Sequence, residues 1–285
     1  MSPLRIFTLT VLALLAFAGN SLLCRAALRH GGIDAASFTT IRIVSGAIVL
    51  CLLVWLRSLR GRAPPGRGNW LSALALFAYA AGFSFAYIRL PTATGALLLF
   101  GAVQATMIGH GLWRGEHLRA AQKAGALIAF AGLAGLLLPG LSAPPLGSAC
   151  LMLAAGAAWG VYSVRGQSAG DPLQVTAGNF LRAIPMSLGL SACLLGSVSA
   201  DSVGVIAALA SGALASGLGY AIWYTVLPFL RSSSAAVVQL GAPVLAALGG
   251  MAWLGEPATM RFLLAALAVL GGIALVTVPR REGGR

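Results

Sequence analysis

The sequence predicts an all-α membrane protein with ten transmembrane helices arranged as two inverted five-helix repeats (5+5). Three observations carry this expectation. Apolar residues make up 59% of the 285 positions, charged residues only 9%, and the mean hydropathy is +0.90, which leaves too little polar surface to cover a water-soluble domain. The apolar residues form ten runs of roughly 20, the length a helix rising about 1.5 Å per residue needs to cross about 30 Å of hydrocarbon. Finally, the second half repeats rare residue types of the first at a constant offset of 140.

The first run, Ile6 to Leu23, follows Arg5 and contains Ala16, Phe17 and Ala18, so it has the outline of a secretory signal with its cleavage site. Because it continues to Leu23 and has a counterpart inside the chain, a retained first span is expected. The rest of the first group is Phe38 to Leu56, Trp70 to Ile88, Thr92 to Trp113 and Ala121 to Leu138. The second group is Leu146 to Val164, Val175 to Leu195, Val203 to Leu227, Ser233 to Trp253 and Thr259 to Val278. Barrel strands would be half as long and would alternate, which these runs do not. Trp55, Trp70, Trp113 and Trp253 fall near span ends, where interfacial aromatics belong.

The offset of 140 carries Arg25 onto Arg165 and Arg42 onto Arg182. It carries Trp113, Gly115 and Glu116 onto Trp253, Gly255 and Glu256, and Pro139 onto Pro279. Residues 1–140 and 141–285 are therefore expected to be two copies of one unit. Five is odd, so a second copy must enter the membrane from the opposite side. With the N-terminus in the cytoplasm, thirteen of the nineteen basic residues fall on inner segments, among them Arg57, Arg60, Arg62, Arg67 and Arg165. Four fall outside: Arg25, Arg29, Arg89 and Arg261. The positive-inside rule then puts both termini in the cytoplasm. The same scatter of short basic loops argues against a nucleic-acid partner, which needs charge massed on one face.

Few residues suit catalysis. His110 lies inside a span, and Ser211 or Ser216 is a conceivable partner in an intramembrane hydrolase, yet no oxyanion or orienting group accompanies them. Gly212, Ser216, Gly217 and Gly219 read instead as helix-packing contacts. Cys24, Cys51, Cys150 and Cys193 have neither CxxC nor Cys/His spacing, so neither disulfide nor metal site is expected, and nothing calls for a cofactor. No Asp or Glu lies deep in a span and no Walker motif is present, which favours exchange or facilitated movement over proton coupling or ATP hydrolysis.

Two sets of residues remain for function. Arg42 and Arg182 lie within spans, Arg42 nearer the outer end, where a cation costs about 2.5–3.5 kcal/mol at the helix centre and so needs a cavity or a partner. As plain structural ties they would bond helix-end carbonyls or Glu116 and Glu256. Each Gly-Glu follows the fourth helix of a repeat, where Gly suits the end of that helix and Glu the positive start of the fifth. The other set is aromatic: Tyr79, Phe83 and Tyr87 on one face of the third helix, Trp159 and Tyr162 on the sixth, and Tyr220, Trp223 and Tyr224 on the eighth. Asn20, Gln104, Asn179 and Gln239 are lone polar residues at similar depth.

The run Ala158-Trp159-Gly160-Val161-Tyr162, an arginine in the second helix of each half, and "GAPVLAALGGMAWLGE" together resemble the drug/metabolite transporter superfamily, in its EamA-type ten-helix branch. Pro243 has Val103 as its counterpart, and Ala242 stands where family members often carry Glu. The resemblance implies secondary transport of small metabolites across the bacterial inner membrane by alternating access, with YddG-type aromatic amino acid exporters as the nearest subgroup. It also implies a central cavity with Tyr79 and Trp159 on its walls. Substrate is then expected against Tyr79, Phe83, Trp159 and Tyr220, helped by Gln104, Gln239 and Asn20. A permissive channel-like facilitator is the alternative. Oligomeric state stays open, with a monomer compatible.

Overall fold

The computed structural model describes residues 1–59, 67–115, 117–140, 143–166, 170–230 and 238–277. The first five helices are α1 (Pro3–Leu28), α2 (Ala35–Ser58), α3 (Trp70–Tyr87), α4 (Thr92–Trp113) and α5 (Ala120–Leu137). The second five are α6 (Leu146–Gly166), α7 (Pro172–Cys193), α8 (Ser202–Phe229), α9 (Gly241–Leu254) and α10 (Met260–Thr277). Seven of them are long and apolar enough to cross a membrane; α7 is diluted by Asn179, Arg182 and Pro185, while α9 and α10 are shorter apolar helices. The ninth run differs from the single helix expected over Ser233 to Trp253. Its described part turns at Leu240 before α9, and Pro243 sits in the first turn of α9, where its missing N–H leaves no bond unmade.

Side chains that accept from first-turn amides set the helix starts. Asp34 accepts from the amides of Ala36 and Ser37 at the head of α2, and Asp171 accepts from Gln174 at the head of α7, its counterpart. Asn69 does the same for α3 (Ser72) and Asp201 for α8 (Gly204). Three of the scarce acidic residues, Asp34, Asp171 and Asp201, thus work as N-caps, each satisfying amides that helix geometry leaves open. At the other end, Gly255 closes α9 in the left-handed region (φ 65°), a conformation that penalises a Cβ.

The main helix contacts run between the two halves of the chain. α2 lies against α7, α4 against α9 and α5 against α10, each with its own counterpart, while α3 packs on α6 as α8 packs on α1. The two connections that follow the second helix of each half lie on opposite faces. Residues of the α7–α8 connection meet the α1–α2 connection: Asp34 N donates to Ser199 O at 2.9 Å, Asp201 N to Gly32 O at 2.7 Å, and Ile33 bridges Ala200. At the other face, Arg57 at the end of α2 pairs with Asp171 at 2.8 Å. α2 and α7 therefore run antiparallel. Large apolar side chains such as Leu4, Phe7, Phe130, Leu264 and Leu267 cover the outside, and the four span-end tryptophans are exposed, as a lipid-facing surface requires.

Candidate functional site

A cavity of about 520 Å³ lies between α1, α3, α4, α6, α8 and the segment before α9. Its size is in the range of small-molecule sites. All seven side chains expected to meet substrate line it: Asn20, Tyr79, Phe83, Gln104, Trp159, Tyr220 and Gln239. Trp223 of the aromatic set lines it too, as do Phe17, Ser21, Phe100 and Ser216, which the sequence does not mark as cavity residues. From this buried end the cavity runs to Gly166 at the close of α6, Pro172 at the start of α7 and Leu230 just past α8, so among the described residues its mouth lies toward the face of the α6–α7 connection.

Aromatic rings build the walls because residues four apart share a helix face. Tyr79 and Phe83 have centroids 5.5 Å apart, and Phe83 and Tyr87 4.7 Å apart, giving α3 a continuous aromatic stripe. Trp159 of α6 joins the sides: it lies 4.8 Å from Tyr79, 5.2 Å from Tyr162 and 5.1 Å from Tyr220, the last two pairs stacked at 27°. Offset contacts of this kind add about 0.5–1.5 kcal/mol each beyond area burial. The wall is therefore firm before any solute enters.

At the closed end lies a polar cluster built around Arg42. This residue is 2% exposed, deeper than its place near the outer end of its run suggested, because α3 and α8 close over α2 there. Its Nη2 donates to Tyr79 Oη at 2.9 Å and its Nε to Ser216 Oγ at 3.2 Å, while Nη1 has no hydrogen-bond partner among the described residues. The guanidinium lies 5.1 Å from the Tyr79 ring centroid and 5.0 Å from that of Phe83. Asn20 Nδ2 also donates to Tyr79 Oη (3.3 Å), and Ser211 Oγ donates to Asn20 Oδ1 (2.6 Å). Ser211 to Leu218 form a π-helical segment inside α8. The segment carries Ser211 and Ser216 to this cluster and sets Gly212 so close to α2 that a Cβ would overlap the Arg42 carbonyl and Ser45 Oγ.

Arg182 behaves differently from Arg42 despite the matching position. It is half-buried and donates from Nη1 to the carbonyl of Gly178, one turn back in its own helix, at 2.9 Å. The offset of 140 carries Tyr79 onto Gly219, so the position of α8 equivalent to Tyr79 has no phenol oxygen. The hydrolase reading is not assembled, since Ser211 engages Asn20, Ser216 engages Arg42, and the His110 ring instead meets Trp113.

On the face opposite the mouth, Glu256 departs from the expected role at the head of α10. Its Oε2 accepts from Thr92 N at 2.7 Å, capping α4, and its Oε1 accepts from Arg25 Nε at 3.2 Å. Arg25 Nη1 also reaches the carbonyls of Tyr87 and Ile88 at the end of α3. The arginine tied to Glu256 is thus Arg25, not Arg42. Arg165, the counterpart of Arg25, donates to Ser72 Oγ (3.2 Å) and Asn69 Oδ1 (3.4 Å) at the opposite face. Glu116 lies outside the described residues.

Residues 146–278 match the EamA-like transporter family. An uncharacterized protein of Pseudomonas aeruginosa, PA1977, is 57% identical over 99% of this chain and 100% of its own length. An uncharacterized transporter of Archaeoglobus fulgidus is 27% identical, covering 81% of this chain and 84% of that one. A protein of known crystal structure shares the fold, with a TM-score of 0.66 and 21% identity over 94% of this chain and 97% of its own. The chain belongs to the EamA-like transporter family of the drug/metabolite transporter superfamily, and is a multi-pass membrane transporter of small molecules.

Proposed function

We propose that the chain is a secondary transporter that exports or exchanges small metabolites, amino acids including aromatic ones first among them, across the bacterial inner membrane by alternating access. Residues 1–140 and 141–285 are its two moving units, and both termini lie in the cytoplasm, as the basic residues beside the α2–α3 and α6–α7 connections favour. One observation carries the reading. A cavity of about 520 Å³, walled by Tyr79, Phe83, Trp159 and Tyr220, has its mouth on one face, and paired loops and the Arg25–Glu256 link lie on the other. In that topology the mouth faces the cytoplasm, and a rocking motion about the pseudo-two-fold moves it to the other side.

Counterflow in proteoliposomes tests the proposal. A carrier takes up labelled phenylalanine or another amino acid saturably, and faster when the same solute is loaded inside. Uptake that rises linearly with concentration and ignores the inner pool would make the protein a facilitating pore instead, and chemical conversion of the solute would make it an enzyme.

A further inference from the structure

Arg42 presents an electrostatic problem that the chain does not solve for itself. Its guanidinium is 2% exposed and its Nη1 has no hydrogen-bond partner among the described residues. Among the described residues no carboxylate lies within ion-pair distance of it: Asp34, two turns away on α2, is occupied by the amides of Ala36, Ser37 and Ser199, and Glu256 by Arg25 and Thr92. A buried cation without a counter-ion is unfavourable and is relieved when an anion joins it. Among the described residues the cavity walls hold no side chain of either formal charge, so the anion is not supplied from there either.

The two groups that Arg42 touches are both cavity-lining. Tyr79 Oη already accepts from Arg42 Nη2 and Asn20 Nδ2, so its oxygen is saturated as an acceptor and its remaining capacity is to donate. Ser216 Oγ accepts from Arg42 Nε and likewise has a proton to give. The closed end of the cavity is therefore a pair of hydroxyl donors backed by a fixed positive charge, with the aromatic rings of Phe83, Trp159 and Tyr220 on the walls around it.

We infer that the solute recognised here is an organic monocarboxylate with an apolar or aromatic body. Its carboxylate accepts from Tyr79 Oη and Ser216 Oγ, Arg42 is the positioning residue that selects the negative charge, and the rings hold the body. An amino acid enters through its carboxylate, and its ammonium contributes little because no acidic side chain lines the cavity. A carboxamide of the same shape turns an N–H₂ donor toward groups that are themselves donors, so the site discriminates against it. This inference rests on the cavity being the substrate site, as proposed above.

Calorimetric titration of the purified full chain with 3-phenylpropanoate and with 3-phenylpropanamide tests it without requiring transport. The acid is expected to bind at least about tenfold tighter than the amide. Arg42→Gln removes that preference. Because Arg42→Gln is liable to fold poorly, the double variant Tyr79→Phe, Ser216→Ala, which keeps the ring and the guanidinium, provides a second measure; there the acid-to-amide ratio falls to within about threefold. Equal binding of the two probes, absence of heat from both, or an unchanged ratio in the double variant overturns the inference. Acid-selective binding without counterflow leaves the carboxylate seat standing and sinks the carrier. Counterflow indifferent to the carboxylate does the reverse.

Discussion

Arg25 and Glu256, separated by 231 positions, pair at 3.2 Å and tie the end of α1 to the end of α9. The pair is mostly buried, with side-chain exposures of 17% and 10%. Each partner also serves a helix end, Glu256 at the start of α4 and Arg25 at the close of α3. Four helices are thus joined at one point on the face opposite the cavity mouth.

Glu256→Gln keeps an acceptor for Thr92 but removes the charge, a loss of about 1–2 kcal/mol, between the values for exposed and fully buried pairs. Such a change shifts an equilibrium five- to thirtyfold. Cys24, fully buried beside Arg25, is a native reporter for opening of this face. With Cys51, Cys150 and Cys193 replaced by Ser, alkylation of Cys24 by a membrane-impermeant maleimide should accelerate by roughly that factor in Glu256→Gln. An unchanged rate would mean the link does not hold this face shut.

The inner and outer connections offer a direct test of inversion. Single cysteines at Arg62 and Ser199, each following the second helix of its half, should be labelled from opposite sides of the membrane in intact and opened cells. Labelling from the same side would remove the basis for alternating access. Ser199 is bonded to Asp34 and Gly31 in the α1–α2 connection, which fixes its face; Arg62 lies outside the described residues and enters through its sequence position alone.

How much of this was legible in the sequence depended on the range of the interaction. Tyr79, Phe83 and Trp159 could be picked out because spacing within one helix fixes which side chains share a face, and Gln104 and Asn20 because a lone polar group in an apolar run must be satisfied somewhere. Arg25 could not be assigned to Glu256, since nothing local to either residue encodes a partner more than 200 positions away. Ser216 reads as a packing residue in sequence, and its side chain instead accepts from Arg42. That role comes from the π-helical segment of α8, which has no hydrophobic period to announce it. The cap of α4 is not legible locally either, because Pro91 has no side-chain acceptor and the missing one is delivered by Glu256 from the other half.

Asp34 connects stability to pH on the face that holds Ser199. Burial pushes its carboxyl upward, but the hydrogen bonds from Ser37, Ser199 and Ala36 outweigh it and hold the group below its ordinary value of 3.8. A depressed folded pKa contributes stability that is fully present above the unfolded value and is lost as pH falls through the folded one. Thermal unfolding in detergent should therefore show Tm falling as pH drops below about 3.8. Asp34→Asn, which can still cap α2, should flatten that acid limb; an equally steep limb in the variant would assign the loss to other groups.

Gly212 tests the close contact of α8 with α2. A Cβ there overlaps the Arg42 carbonyl and Ser45 Oγ, and backbone has little room to yield, so Gly212→Ala should destabilise by about 1–3 kcal/mol. Gly189→Ala on α7, where a Cβ meets nothing, should stay within about 0.5 kcal/mol. Denaturation of both in the same detergent decides the matter, and equal stabilities would show that α2 and α8 are looser at the cluster than their contact implies.

Trp159 is the side chain on which the walls of the cavity converge, in ring contact with Tyr79, Tyr162 and Tyr220. Trp159→Ala removes those contacts together and widens the cavity at its waist. If solute is gripped there, KM for an aromatic amino acid should rise about tenfold or more, the size of effect found for buried aromatic anchors. A small solute such as alanine, which has no ring to stack, should lose much less. Tyr79→Ala should weaken both, because it also frees Arg42 and Asn20 from the oxygen they share. The ratio of the two KM changes separates a binding role from general loosening, since a loosened bundle affects large and small solutes alike. Unaltered kinetics in both variants for every transported solute would place the substrate elsewhere in the molecule.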